Sequence, residues 1–295
     1  MYGSRVKDRS DRPESRRDTE HSGFLCDFVS LWLCIVTALM RMVRYNLEPP
    51  VGVITLDRPD RRNALDSEMV GELMEACRAA ETDHRCRVIL LRAEGPAFCA
   101  GMDLSALQMM SSQSYEANLE DSHRLAAVFE RLWSFPKPTV AAVQGAALGG
   151  GCGLAAICDV TLTTPDATLG FPEVRIGFVP AIVSIFLVRL VGQAHARNLL
   201  LTGRRITGAE AHRIGLVNEV VSLDALDRRA REVAEEVAAN SPQAMAATRC
   251  LLPAISQDEL ERACVANAKA RATDDCREGV RAFLEKRAPT WTSSG

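Results

Sequence analysis

Thr139-Val-Ala-Ala-Val143 and Val160-Thr-Leu-Thr163 bracket the stretch Gly145-Ala-Ala-Leu-Gly149-Gly150-Gly151-Cys152-Gly153-Leu154-Ala-Ala-Ile157. The outer segments read as strands, and Leu154 to Ile157 as a short apolar helical segment between them. Consecutive glycines opening a helix leave backbone N–H groups with no side chain in front of them. Such a place attracts a negatively charged oxygen, and the helix dipole adds to the attraction. A tight turn whose glycines serve only close packing carries the same pattern. The turn therefore gains chemical meaning only with a second element beside it.

Outward from this centre the pattern repeats. Val51-Gly-Val-Ile-Thr-Leu56 is a β-branched run closed by a turn at Arg58-Pro59. Ser67 to Ala80 carries Met69, Val70, Leu73, Met74 and Cys77 at helical spacing behind a capping Asp66. Val88-Ile-Leu-Leu91 is an apolar strand of the kind buried on both faces. Tyr115 to Trp133 reads as a helix with Leu119, Leu125, Val128, Phe129 and Leu132 inside. Strands alternating with helices predict right-handed crossovers and a largely parallel sheet, an α/β fold. After Pro180 the texture turns helical. Thr207-Gly-Ala-Glu210 and Ser256-Gln-Asp-Glu259 match capping boxes. Leu223–Ala239, Pro242–Leu252, Gln257–Arg271 and Asp274–Arg287 read as successive helices. This tail lacks a strong hydrophobic centre of its own, so it is expected to pack on the body or on a neighbouring subunit.

Composition narrows the function classes. The 295 residues are 47% hydrophobic and 25% charged, enough for one or two domains with a sizeable core. Thirty-five Lys and Arg against 38 Asp and Glu leave a net charge of −3, without the basic excess of a nucleic-acid surface. Aromatic residues, at 5%, also disfavour a platform for stacked bases. Ten cysteines are scattered from Cys26 to Cys276 with no C-x-x-C pair, the usage of a reduced, cytoplasmic protein. His84, His123, His195 and His212 are isolated from one another and from cysteine at ligand spacing, so no metal site is expected.

Residues 1–44 stand apart. Arg5, Lys7, Arg9, Arg12, Arg16 and Arg17 face Asp8, Asp11, Glu14, Asp18 and Glu20 with almost no apolar residue between them, a disordered composition too acidic for a transit peptide. The run Phe28 to Met40 is apolar but shorter than the roughly 20 residues of a spanning helix, so no stable membrane insertion is expected. It reads either as an anchor for a membrane or partner, or as a stretch upstream of a true start at Met40 or Met42.

A second glycine turn, Gly95-Pro-Ala-Phe-Cys99-Ala100-Gly101-Met102-Asp103, follows the Val88–Leu91 strand. No Gly-Lys-Ser/Thr follows the first turn, and its spacing Gly149-x-Gly151-x-Gly153 is not G-x-G-x-x-G, which argues against phosphate-loop and dinucleotide readings. Ala-Phe-Cys-Ala-Gly-x-Asp followed by Gly-Ala-Ala-Leu-Gly-Gly-Gly-Cys-Gly-Leu-Ala resembles the crotonase superfamily, the enoyl-CoA hydratase/isomerase family. The likeness continues through Cys158-Asp159, Phe171-Pro172-Glu173, Leu201-Thr-Gly203, Ala211 to Leu216 and Phe283-Leu-Glu-Lys-Arg287. It implies a crotonase-like ββα superhelix over residues 45–235 with a C-terminal helical region over 236–295. It further implies a homotrimer or dimer of trimers, and an acyl-CoA thioester as substrate, with no cofactor beyond that coenzyme A.

The chemistry of that family explains the residue types. A proton α to a thioester becomes acidic only when the enolate oxygen is stabilised, and losing one of two preorganised amide donors costs about 3–4 kcal/mol of barrier. By resemblance the donors are the N–H groups of Ala100 and Gly150, with Glu173 as acid/base group. Hydratases of the family usually carry a second glutamate, which here falls at Gly153. Three outcomes follow: a hydratase of trans-2-enoyl-CoA, a Δ3,Δ2-enoyl-CoA isomerase, or a non-catalytic acyl-CoA-binding protein. Glu116, Glu120 and Asp121 are candidates for a replacement acid. Cys99 and Cys152 are expected to be packing residues. Coenzyme A is expected to be held by the Arg58–Leu65 turn, with Arg61, Arg62 and Ala64, and by the backbone of Gly101, Met102, Asp103 and Leu104. The resemblance adds Gly149, Gly153, Pro172, Ala181, Phe283 and Lys286.

Overall fold

The computed structural model describes residues 41–110, 112–252 and 255–292. Two compact units divide at residue 40, and the expectations for residues 1–40 lie outside the described residues. Residues 40–295 form the second unit.

Its main sheet has six strands in the order β1-β2-β3-β4-β6-β9, with β1 Val43–Glu48, β2 Val51–Leu56, β3 Val88–Ala93, β4 Thr139–Val143, β6 Val160–Thr163 and β9 Glu219–Val220. All pairs are parallel except β1 with β2. The expected extension ends at residue 44, but the fold begins earlier. Glu72 accepts hydrogen bonds from the N–H groups of Arg41, Met42 and Val43, which starts β1 at Val43.

Helix α1, Ser67–Thr82, is capped by Asp66, whose side chain accepts from the Met69 N–H. Helices α2, Leu104–Met110, and α3, Tyr115–Trp133, follow β3. In α3 the inner face differs from the expected one: Asn118 and Ser122 are buried, whereas Leu119 and Leu125 are half-buried. The reason is α9, Gln257–Arg271, which packs along α3 and supplies polar partners for both. Helix α4, Gly150–Ala156, follows the glycine turn. Helix α5, Ala181–Thr202, is the longest described and is interrupted at Gly192. Its apolar residues occur all round, so no amphipathic stripe marks it in the sequence.

Helices α6, Gly208–Arg213, α7, Leu223–Ala238, and α8, Pro242–Leu251, lead to α9 and to α10, Asp274–Leu284. The boundary expected between 235 and 236 falls inside α7. That helix lays Leu226, Ala230, Val233, Ala234 and Ala238 on Val51, Val53, Val88, Leu90, Val140 and Leu162 of the sheet, so it belongs wholly to the body. The tail packs on the body as expected: α9 against α3 and α5, and α10 against the 172–176 turn. Ser256 and Glu259 form a complete capping box. Thr207 and Glu210 form half of one, because the Glu210 carboxylate instead holds the Arg204 guanidinium at 2.7 and 3.1 Å.

A second, three-stranded sheet places the site. Strands β5 Ala146–Leu148, β7 Thr168–Gly170 and β8 Arg205–Thr207 lie in that order, and β5 pairs parallel with β7. Among the described residues no helix is long and apolar enough to cross a membrane. Cys77, Cys86, Cys99, Cys152, Cys158, Cys264 and Cys276 are buried and form no disulfide among the described residues.

Candidate active site

Three chain segments leave this small sheet side by side. Cys99 bridges Ala147 in parallel, and Leu148 pairs with Gly170 across β5 and β7. Parallel strands point their carboxyl ends the same way, so Ala100, Gly149 and Phe171-Pro172-Glu173 emerge at one edge. The Gly149 N–H donates to the Gly170 carbonyl at 2.8 Å, and the Leu148 N–H to that of Cys99 at 3.0 Å. Both expected glycine turns and the expected carboxylate are thus brought together by strand register.

Gly149 has φ 54°, and a Cβ there would lie 3.0 Å from Glu173 Oε1. Only glycine serves both needs, and its bareness lets the carboxylate rest against the backbone that opens α4. That helix has seven residues. What it offers the site is the N–H groups of its first turn, Gly150 included, which have no acceptor within the helix, more than a long macrodipole.

Glu173 lies in the turn Pro172–Ile176. Its Oε2 is sealed from solvent and has no hydrogen-bond partner among the described residues. Burial pushes its pKa up to about 7, against a smaller opposing hydrogen bond from its own backbone. The stem of Arg175, two residues on, lies against Gly203.

Gly153 marks the departure from a two-glutamate pattern, and the structure shows what replaces the missing side chain. A Cβ at Gly153 would stand 2.6 Å from Phe129 Cε1 and 2.6 Å from Val183 Cγ1. Apolar side chains from α3 and α5 already hold that volume. None of the candidate replacement acids takes over this place. Asp121 accepts from Arg271 at 2.7 Å, Glu120 pairs with Arg124 at 3.6 Å, and Glu116 is exposed in the first turn of α3.

The Ala100 amide is engaged. The N–H donates to the Arg62 carbonyl at 3.0 Å. Arg62 and Asn63 both have left-handed backbones, with φ 52° and 53°, and the Ala64 N–H returns to the Arg61 carbonyl at 3.1 Å. Two consecutive left-handed residues closed in this way make a type I′ turn. Asn63 holds it: fully buried, its Oδ1 accepts from the Arg58 N–H at 2.7 Å and its Nδ2 donates to the carbonyls of Glu94 and Ala97 at 2.9 Å each. Asn63 is a site residue that the motifs do not single out, although asparagine's tolerance of left-handed backbone is a sequence signal.

The two turns expected to hold coenzyme A are fastened together. The Leu65 N–H donates to the Gly101 carbonyl at 2.7 Å, and the Asp103 N–H to that of Leu65 at 2.8 Å. Arg58 spans Asp66 and the buried Asp103. Burial alone would raise the Asp103 pKa, but hydrogen bonds from Ser105 and the Arg58 charge outweigh it and lower the value. Ala64 is buried, Arg61 and Arg62 are exposed, and Leu104 is half exposed. Met102 packs toward Leu107, Met110 and Phe178. Pro172 opens the Glu173 turn and the buried Ala181 opens α5. Phe283 and Lys286 are exposed at the end of α10, which packs on the 172–176 turn and α2 rather than on the Arg58–Leu65 turn.

Cys99 and Cys152 are fully buried, and burial pushes both thiols up to about 12, the condition of packing residues. His123 faces Glu261 at 2.8 Å and His212 faces the Val217 carbonyl. Among the described residues no three His, Cys, Asp or Glu side chains group as a metal site.

Fold and site together define a crotonase-fold protein, and residues 47–294 match the family model of enoyl-CoA hydratase/isomerase. The chain belongs to that family. It is 44% identical over 243 residues to a Thermus thermophilus protein provisionally named an enoyl-CoA hydratase, covering 81% of this chain and 96% of that one. It is 36% identical over 245 residues to the 2,3-dehydroadipyl-CoA hydratase of Escherichia coli, covering 81% and 94%. The crystal structure of an enoyl-CoA hydratase from Mycobacterium avium superposes with a TM-score of 0.76 at 32% identity, covering 85% of this chain and 98% of that one.

Proposed function

We propose that this protein hydrates a trans-2-enoyl-CoA, with Glu173 as the single acid/base group. The observation that carries the reading is the Glu173 carboxylate beside Gly149, its Oε2 sealed and without a hydrogen-bond partner among the described residues, with a pKa raised to about 7. A carboxyl poised there exchanges a proton readily in either direction near neutral pH. In the proposed step the Glu173 carboxylate takes a proton from water as its oxygen bonds to C3. The C2=C3 electron pair moves onto the thioester oxygen, which the N–H groups of Gly150 and Ala100 stabilise as an enolate. Glu173 then returns the proton to C2 and the thioester carbonyl reforms. The Ala100 N–H takes part once the thioester oxygen replaces its present partner, the Arg62 carbonyl. Arg61, Arg62 and Lys286 supply positive charge for the phosphates of coenzyme A.

A second reading is favoured by the filled space at Gly153. A lone carboxylate that removes a C2 proton and returns it at C4 is a Δ3,Δ2-enoyl-CoA isomerase, and it needs no second glutamate to direct water. Incubation with crotonyl-CoA and, separately, with a 3-enoyl-CoA separates the readings by enoyl-thioester absorbance. Loss with the first supports hydration; gain with the second supports isomerisation. No change in either, with binding retained, leaves an acyl-CoA-binding protein and refutes both.

A further inference from the structure

Behind the Glu173 turn sits a buried cation that the proposed chemistry does not use. Arg271, the last residue of α9, is 2% exposed. Its Nε donates to Asn267 Oδ1 at 3.0 Å, and its Nη1 to Asp121 Oδ2 at 2.7 Å and Asn118 Oδ1 at 3.3 Å. Its Nη2 is buried without a hydrogen-bond partner among the described residues. The guanidinium carbon lies 5.6 Å from the centroid of the Phe178 ring. Asn267 extends the same contact, its Nδ2 donating to the Val179 carbonyl at 3.4 Å.

Phe178 is where the Glu173 turn closes, since its N–H donates to the Glu173 carbonyl at 3.0 Å. The turn is backed from another side by α10. A Cβ at Gly279 would stand 2.3 Å from the Ile176 carbonyl, and one at Gly177 would stand 2.3 Å from that of Asp275. With α10 against the middle of the turn, the Arg271 group grips its exit.

Bulk stability is a poor account of this arrangement. Desolvating a cation costs several kcal/mol, and apolar replacement of a buried ion pair is often neutral or stabilising. What an apolar side chain lacks is a directed charge: a guanidinium held at two of its nitrogens keeps one position over the Phe178 ring. We propose that Arg271 is a positioning residue for Glu173, clamping Phe178 and Val179 so that the turn carrying the carboxylate holds one geometry. Its catalytic consequence rests on the function proposed above, whereas its structural consequence does not.

The test compares the full-length protein with Arg271→Met, Arg271→Lys and Phe178→Leu by amide hydrogen exchange and by steady-state kinetics on crotonyl-CoA and a 3-enoyl-CoA. In Arg271→Met and Phe178→Leu, the Gly177 and Phe178 amides should exchange about tenfold faster or more, with the β2 and β3 amides unchanged. The kcat should fall by about 100-fold, the scale of a misplacement near 1 Å, with KM within about twofold. Arg271→Lys keeps a charge for Asp121 without the guanidinium's second anchor on Asn267, and should recover part of kcat. Unchanged exchange at 177–178 in Phe178→Leu overturns the proposal, and so does a fall confined to KM. If Arg271→Met unfolds globally, Phe178→Leu, which leaves the buried charge paired, decides. If the wild type turns over neither thioester, the function proposed above fails and the exchange measurement still decides the clamp.

Discussion

The ring of Phe129 occupies the space in front of Gly153, where a Cβ would lie 2.6 Å from its Cε1. Val183 closes the same space from α5 at an equal distance. The absence of a second glutamate is therefore built into the packing of three helices.

Restoring the family's second acid by one substitution should fail. Gly153→Glu forces a carboxylate into a filled apolar volume and should cost about 3 kcal/mol or more, from overpacking and from burying the charge. Thermal unfolding should show a clear drop in Tm, and crotonyl-CoA hydration should not increase. A variant with wild-type Tm and faster hydration would show that Phe129 and Val183 yield easily.

Glu173 links stability to pH in a definite direction. Its pKa rises from 4.5 to about 7 on folding, so the native state binds the extra proton. The favourable contribution is complete below pH 4.5 and is lost as pH rises through about 7. Glu173 is half-buried as a residue although its Oε2 is sealed, so Glu173→Gln should be more stable than the wild type above pH 7 by about 2 kcal/mol, less than a fully buried charge would give. The two proteins should converge toward pH 4.5. Activity should vanish in the variant while coenzyme A affinity holds, and the wild-type kcat/KM should show a limb near pH 7. Retained turnover in Glu173→Gln would reassign the acid.

Asn63 should matter more than any exposed arginine near it. Asn63→Ala loses hydrogen bonds to Arg58, Glu94 and Ala97 and places a Cβ-bearing, non-bonding residue at φ 53°. The cost should be about 2–4 kcal/mol by denaturant titration, with a raised KM for acyl-CoA. Asn63→Gly, which removes only the backbone strain, should recover about 1 kcal/mol of that loss. Equal stability of the two variants would mean that the left-handed backbone is not strained.

Binding of an acyl-CoA should change the partner of the Ala100 N–H. Amide chemical shifts of Ala100 and Asn63 should move with acyl-CoA, and much less with free coenzyme A, which lacks the thioester carbonyl. A bound structure that keeps the Ala100 N–H on the Arg62 carbonyl would remove Ala100 from the oxyanion role.

Much of this fold is legible because local signals agree with tertiary demands. Asp66 before an apolar-periodic segment, the β-branched runs at 51–56, 139–143 and 160–163, and the Ser256–Glu259 box all form as their residues suggest. The short strands β5, β7 and β8 carry too few residues for a period, and α5 has apolar residues on every side. The inner face of α3 departs from its apolar period for a related reason: polar Asn118 and Ser122 are buried because a distant helix offers Asn267 and Arg271 to them.

The residues of this protein by themselves determined the alternation of strands and helices and the two glycine turns, since chain chirality and local hydrogen bonding act over a few neighbours; Glu173 stands out only through the resemblance of its motif to the family. Only the tertiary structure decided that three parallel exits meet at one edge, that Phe129 and Val183 fill the place of a second acid, and that Arg62 covers the Ala100 amide. Those facts depend on strand register and close packing between segments far apart in the chain, and no local stretch of sequence encodes them.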